Sequence, residues 1–121
     1  MTKRQAIYKH RRMWRWIAEE TRERRTVVDK TDYFIEHALL DERPNNLCWC
    51  CGYASSVCRG EQPVDAHLII CDACPIQWSG ITCCDIESEY CQWDDAVKAD
   101  DWEEAAHWAA VIAELPEVEN E

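Results

Sequence analysis

Two cysteine hooks constrain this chain more than any other feature. Cys48-Trp49-Cys50-Cys51-Gly52 is answered by Cys71-Asp72-Ala73-Cys74-Pro75, giving the pattern Cys48-x2-Cys51-x19-Cys71-x2-Cys74. Two intervening residues make a tight turn, so each hook can present two sulfurs to one metal ion, and this spacing suits a four-thiolate zinc site. Gly52, just after the first hook, tolerates the positive φ that such turns often need. Cys48, Cys51, Cys71 and Cys74 are therefore the expected ligands of a zinc ion. Other donors compete for a place: Cys50, Cys58, Cys83, Cys84, Cys91 and His67. The thiol count alone also leaves room for a second metal. Four thiolates close the coordination sphere, so such a site is structural and its binding energy becomes folding energy.

That matters because the chain has only 121 residues, with nine cysteines and seven tryptophans. A single domain of this size has a limited core and gains from a metal staple. No apolar run follows Met1-Thr2-Lys3-Arg4, and no stretch approaches the ~20 apolar residues of a membrane span. The expectation is a cytoplasmic protein without membrane contact, whose thiols stay reduced.

Helical periodicity flanks the cysteine-rich stretch on both sides. Thr2 and Gln5 form a capping box, and Ile7, His10, Trp14, Ile17 and Thr21 mark the inner face of a helix over 3–24, with Met13 beside them. Most of its arginines fall on the other face. A second helix is expected at about 32–40, opened by Thr31 or Asp32, burying Tyr33, Phe34 and Ala38 and stopped before Pro44. Short strands are expected at 67–71 and leading into the first hook. Ser88 should cap a helix with Tyr90, Trp93, Ala96 and Val97 inward. Asp100 should open the last helix, whose stripe is Trp102, Ala105, Trp108, Ala109, Ile112 and Leu115. The predicted architecture is a mostly helical α+β domain. Helices at 1–44 and 88–121 clasp a ribbon-like or treble-clef-like zinc loop at 45–87.

Charge is unevenly distributed. Residues 1–30 hold ten Lys/Arg against four Asp/Glu, a local +6, whereas residues 31–121 hold three against twenty, a local −17. The acidic part repels nucleic acid and membranes and favours basic surfaces. Asp85, Glu87, Glu89, Asp94, Asp95, Asp100, Asp101, Glu103 and Glu104 are expected to line an acidic face for a basic partner, opposite the tryptophan stripe. Arg4, Arg11, Arg12, Arg15, Arg22 and Arg25 beside Tyr8, Trp14 and Trp16 offer the alternative of a nucleic-acid contact. The plainer expectation is that this basic helix packs on the acidic remainder of its own chain. Catalysis finds little support. G-x-S-x-G, H-E-x-x-H and P-loop patterns do not occur, and His67-Leu68-Ile69 lacks the glutamate of a zinc deaminase.

Several short motifs occur in a suggestive order: Trp14-Arg15-Trp16-Ile17-Ala18-Glu19, Lys30-Thr31-Asp32-Tyr33-Phe34, Cys48-x2-Cys51-Gly52-Tyr53-Ala54, Cys71-x2-Cys74-Pro75-Ile76-x-Trp78, Glu89-Tyr90 and Trp93. Together they resemble a group of small cysteine-rich bacteriophage and prophage proteins with a C-x2-C…C-x2-C-P-x2-W core. Gly52, where an acidic residue is more usual in that group, and the doubled cysteines at 50–51 and 83–84 depart from its pattern. The resemblance implies a phage protein made in a bacterial cytoplasm that acts by binding a host protein. The combined expectation is a non-enzymatic inhibitor of a nucleic-acid-handling or defence protein, such as a CRISPR or restriction component. It would act by presenting carboxylates in place of DNA phosphates.

Overall fold

The computed structural model describes residues 2–39, 49–50, 74–79 and 86–118. Cys48, Cys51, Cys58, Cys71, Cys83, Cys84, His67 and Asp85 lie outside this set, as does the expected strand at 67–71. The described residues are mostly helical, and no helix among them is long and apolar enough to cross a membrane.

Helix α1 (Lys3–Arg24) starts as its sequence dictates. The Thr2 hydroxyl accepts from the Gln5 amide at 3.1 Å while Gln5 Oε1 accepts from the Thr2 amide at 2.8 Å, satisfying two otherwise orphaned donors. Ile7, His10, Met13, Trp14, Ile17 and Thr21 are all buried, as the three-and-four spacing predicts. Thr21 is tolerated inside because its hydroxyl donates to Ile17 O at 2.6 Å. Arg25 ends the helix in the left-handed region, at φ 52°.

Helix α2 (Lys30–Glu36) is shorter than expected and begins earlier. Asp29 is its cap, sharing a reciprocal pair of 3.0 Å bonds with Asp32, so the capping residue lies upstream of the predicted Thr31 or Asp32. Tyr33 and Phe34 are buried as expected. Ala38 is not: the chain turns there with φ 55°, leaving Ala38 exposed beyond the helix end.

Helix α3 (Glu89–Lys98) is capped by the buried Ser88, whose Oγ accepts from Cys91 N–H at 3.2 Å. Trp93 and Ala96 are buried, with Tyr90 and Val97 packed beside the core. Asp100, at φ 55°, forms the corner into helix α4 (Trp102–Ala113). The cap of α4 is Asp101 accepting from Glu104 N–H, one residue later than the expected Asp100–Glu103 pair. Asp100 is instead used for the corner, where a short polar side chain tolerates positive φ.

Helix α1 packs most extensively on α4, and α4 on α3. Arg15 reaches Glu114 beyond the end of α4, while Arg22 and Arg25 sit near Trp102 and Glu103 at its start, so α1 and α4 run antiparallel. Trp14 anchors the interior, meeting Trp93 edge-to-face at 4.8 Å and Tyr90 at 6.1 Å. The first half of α1 extends past α4 toward the flanks of the cysteine hooks. There Lys9 Nζ lies 4.6 Å over the Trp49 ring, and Cys50 Sγ–H reaches Ala6 O at 3.9 Å. Trp49, the one described residue of the strand expected to lead into the first hook, is helical together with Cys50.

After the second hook, residues 74–79 are stitched down at three points. Gln77 N–H donates to Pro116 O and Val118 N–H to Pro75 O, at 2.9 and 2.8 Å, forming an antiparallel bridge between Ile76 and Glu117. Val118 is thereby held in the bridge. Trp78 meets the His10 ring edge-on at 5.9 Å, and Ser79 binds Glu89.

Candidate functional site

Three places were singled out by the sequence: the hooks, the acidic face and the basic helix. Of the four expected zinc ligands only Cys74 is described, and it is buried. Cys50 is buried against α1 and Cys91 is half-buried on α3. Among the described residues no group of three His, Cys, Asp or Glu could hold a metal. Both flanks of the hooks nonetheless rest on one helix, through Cys50 at Ala6 and Trp78 at His10, a single turn apart. His10 is completely buried, and neither ring nitrogen has a hydrogen-bond partner among the described residues. The His10 ring stands perpendicular to Trp78, 5.9 Å between centroids.

The acidic face is only partly what its sequence suggested. Glu87, Asp95, Asp100, Asp101, Glu103 and Glu104 are exposed, and half-buried Asp94 pairs with Lys98 at 2.7 Å. Glu89 does not belong with them. At 8% exposure its carboxylate turns inward and accepts from Ser79 N–H at 2.9 Å and Ser79 Oγ at 2.6 Å. Burial raises the Glu89 pKa, but these hydrogen bonds outweigh it and hold the carboxyl below its usual range. Its role is to tie the segment after the second hook to the start of α3. Two exposed members also have internal duties: Asp101 caps α4, and Glu104 Oε2 accepts from Trp108 Nε1 at 3.2 Å.

The basic helix divides its charges. Arg24 donates twice to Glu36, at 2.6 and 2.8 Å, and once to Glu20 at 3.0 Å. The hydrogen bond from Arg24 holds Glu36 below the usual carboxylate range, and so pins α2 to the end of α1. Arg11 donates to Leu115 O at 3.2 Å and lies 3.6 Å from Glu117, and Arg15 lies 3.3 Å from Glu114. Packing of this helix on its own acidic chain thus holds for Arg11, Arg15 and Arg24.

Arg4 and Arg12 have no carboxylate partner among the described residues. Together with Arg11 and Arg15 they border a groove of about 570 Å³ between α1 and α2. Tyr8, 62% exposed, stands at its edge, while Trp16, Tyr33 and His37 form an aromatic wall. Burial pushes the Tyr33 hydroxyl pKa up, and the nearby Arg12 charge partly offsets this. Comparison with protein-family models, curated proteins and solved structures finds no match. The functional reading therefore rests on these residues alone.

The sequence flagged the arginines of α1 and did not flag the groove. Its concavity depends on α2 folding back beside Trp16, which no residue spacing announces. The wall residues Tyr33 and His37 gave only an ordinary helical signal.

Proposed function

We propose that this protein is a non-enzymatic interaction module that presents the exposed carboxylates of α3 and α4 to a basic groove on a partner protein. The observation that carries this reading is the charge imbalance over 86–118. That segment holds ten Asp/Glu against the single Lys98, and all but Glu89 of the acidic-face residues described there are at least partly exposed. Such a field attracts basic surfaces and accelerates their encounter. In line with the phage resemblance, the partner is a bacterial nucleic-acid-handling or defence protein and the effect is inhibition by DNA mimicry.

In the same proposal Cys48, Cys51, Cys71 and Cys74 hold one zinc ion, and the loop between the helices owes its stability to it. Zinc in such a set supplies folding energy and no open position for substrate. The turn of Cys50 toward Ala6 supports Cys51 as the partner of Cys48 in the first hook. Native mass spectrometry with and without a chelator tests this: one zinc lost together with helical signal is expected, and metal-free folded protein from reducing buffer refutes it.

The interaction is tested with Asp95→Lys/Glu103→Lys, which alters two exposed carboxylates with no hydrogen-bond role among the described residues. Affinity capture from bacterial lysate should yield a specific partner with the native chain and lose it with the variant. Retention of the same partner would sink the reading. The groove on α1 favours a second reading, nucleic-acid binding through the basic helix, because Arg4 and Arg12, beside exposed Tyr8, have no carboxylate partner among the described residues.

A further inference from the structure

We infer that the groove between α1 and α2 is a binding site for a short single-stranded nucleic-acid segment, with phosphates on its arginines and bases against its aromatic side chains. The inference rests on the nucleic-acid reading of α1 and narrows it to one kind of strand.

The charges come first. Arg4, Arg11, Arg12 and Arg15 follow one another along a single helix, so they form a row and do not converge on a point. At 1.5 Å per residue the row is about 16 Å long. At about 3.4 Å per phosphate that length matches several phosphates of one stacked strand. A lone phosphate or carboxylate would use one or two of these guanidinium groups and leave the others idle. Arg11 is held in place by Leu115 O, whereas Arg4 and Arg12 are unpaired among the described residues. Two anchors of the row are thus open to a ligand at no cost in broken ion pairs.

The second observation is the aromatic content of the same groove. Tyr8 projects with most of its ring in water, and half-buried Trp16 and His37 line the groove further along, backed by the buried Tyr33 ring. An acidic peptide would have no use for flat faces beside each charge, whereas every nucleobase has a π-face to stack on them. A charged groove that tracks a backbone, edged by aromatic rings, is the general form of sequence-tolerant single-strand sites.

Concavity and surrounding charge then separate single from double strands. A groove of about 570 Å³, bordered by α1 and by Tyr33 and His37, admits one strand lying along the arginine row and not the width of a duplex. Glu19, Glu114 and Glu117 stand around the groove in a chain of net charge −11. A duplex would bring many further phosphates within the ~8 Å screening length of those carboxylates. A single strand places its phosphates on the arginine row and little else.

Fluorescence anisotropy with labelled oligothymidine, between about 50 and 200 mM salt, tests the inference on the full chain. The expected result is binding that weakens steeply with salt. Arg4→Ala/Arg12→Ala should weaken it at least about tenfold and flatten the log–log salt slope by about 1.4, two contacts at about 0.7 each. Tyr8→Ala should weaken binding while leaving that slope unchanged, because stacking releases no counterions. Circular dichroism confirms that the variants fold. Three results overturn the inference: indifference to both variants, displacement by oligoglutamate as readily as by unlabelled oligothymidine, or equal or tighter binding of the matching duplex. Arginine-dependent binding of the duplex alone would keep the broader nucleic-acid reading and discard this one. No binding to either strand form would end both.

Discussion

The acidic face and the basic groove carry opposite charges on opposite kinds of surface. The face is carried on α3 and α4, where helical register places its exposed carboxylates: remove one such as Asp95 and its neighbours stay where they are. The groove is concave and exists only because α2 is fastened beside α1, through Arg24–Glu36 outside and the Trp16, Tyr33 and His37 rings within. Charge on the face is therefore cheap to alter, whereas the groove responds to residues that never touch its contents. Some acidic residues cross this divide. Glu89 and Asp101 are read as surface charge in the sequence and are structural in the fold.

The largest expected effect strikes both surfaces at once. Trp14→Ala removes the ring that joins α1 to α3, and should cost about 3–5 kcal/mol in urea denaturation. Loss of oligonucleotide binding with full retention of stability would mean the two surfaces do not share this core. Next comes Glu89→Ala, expected to cost about 1.5–3 kcal/mol because the Ser79 amide and hydroxyl lose their hydrogen bonds to a charged, buried acceptor. Its pH dependence has a definite sign. The folded carboxyl has a lowered pKa, so its stabilisation is complete above the ordinary glutamate range and is lost as pH falls through the folded value. The stability gap between the native chain and Glu89→Gln should shrink on acidification below about pH 4, and a gap that widens would reject the assignment.

Asp101→Ala against Asp95→Ala sharpens the division within the face itself. The first removes a helix cap and should cost about 1 kcal/mol, and the second should change stability by less than about 0.5 kcal/mol. Comparably small is Ala38→Gly. It relieves a left-handed alanine but frees the unfolded chain, for a net gain of about 0.5 kcal/mol in the thermal midpoint analysis. Arg24→Ala belongs beside these as a test of position: salt-sensitive loosening of α2 should weaken groove binding without a ligand contact being lost.

The helices were legible where one residue type at one spacing decides the outcome. Thr2 with Gln5, the buried row from Ile7 to Thr21, and Ser88 before Tyr90 and Trp93 all behave as their local chemistry requires. Boundaries slipped where several capping residues stood within a few positions. Asp29 capped α2 in place of Thr31 or Asp32, with Asp32 completing its box, and Asp101 capped α4 in place of Asp100, which the corner uses. Glu89 was misread because the first turn of a helix is usually wet, and nothing in sequence foretells that Ser79 will arrive there. The groove was half visible: its arginines announced themselves, and its second wall did not.

One detail of the architecture has a consequence for how the molecule is made. Arg11 and Leu115 touch, yet they stand 104 positions apart along the chain. A ribosome adding about 5–20 residues per second would finish α1 roughly 5–20 s before its principal packing partner exists. Throughout that interval Trp14 and Ile17 have no α4 to cover them, and the pairing of 75–77 with 116–118 cannot form. The newborn chain is thus committed to a wait, and its first helix is the part a chaperone would meet.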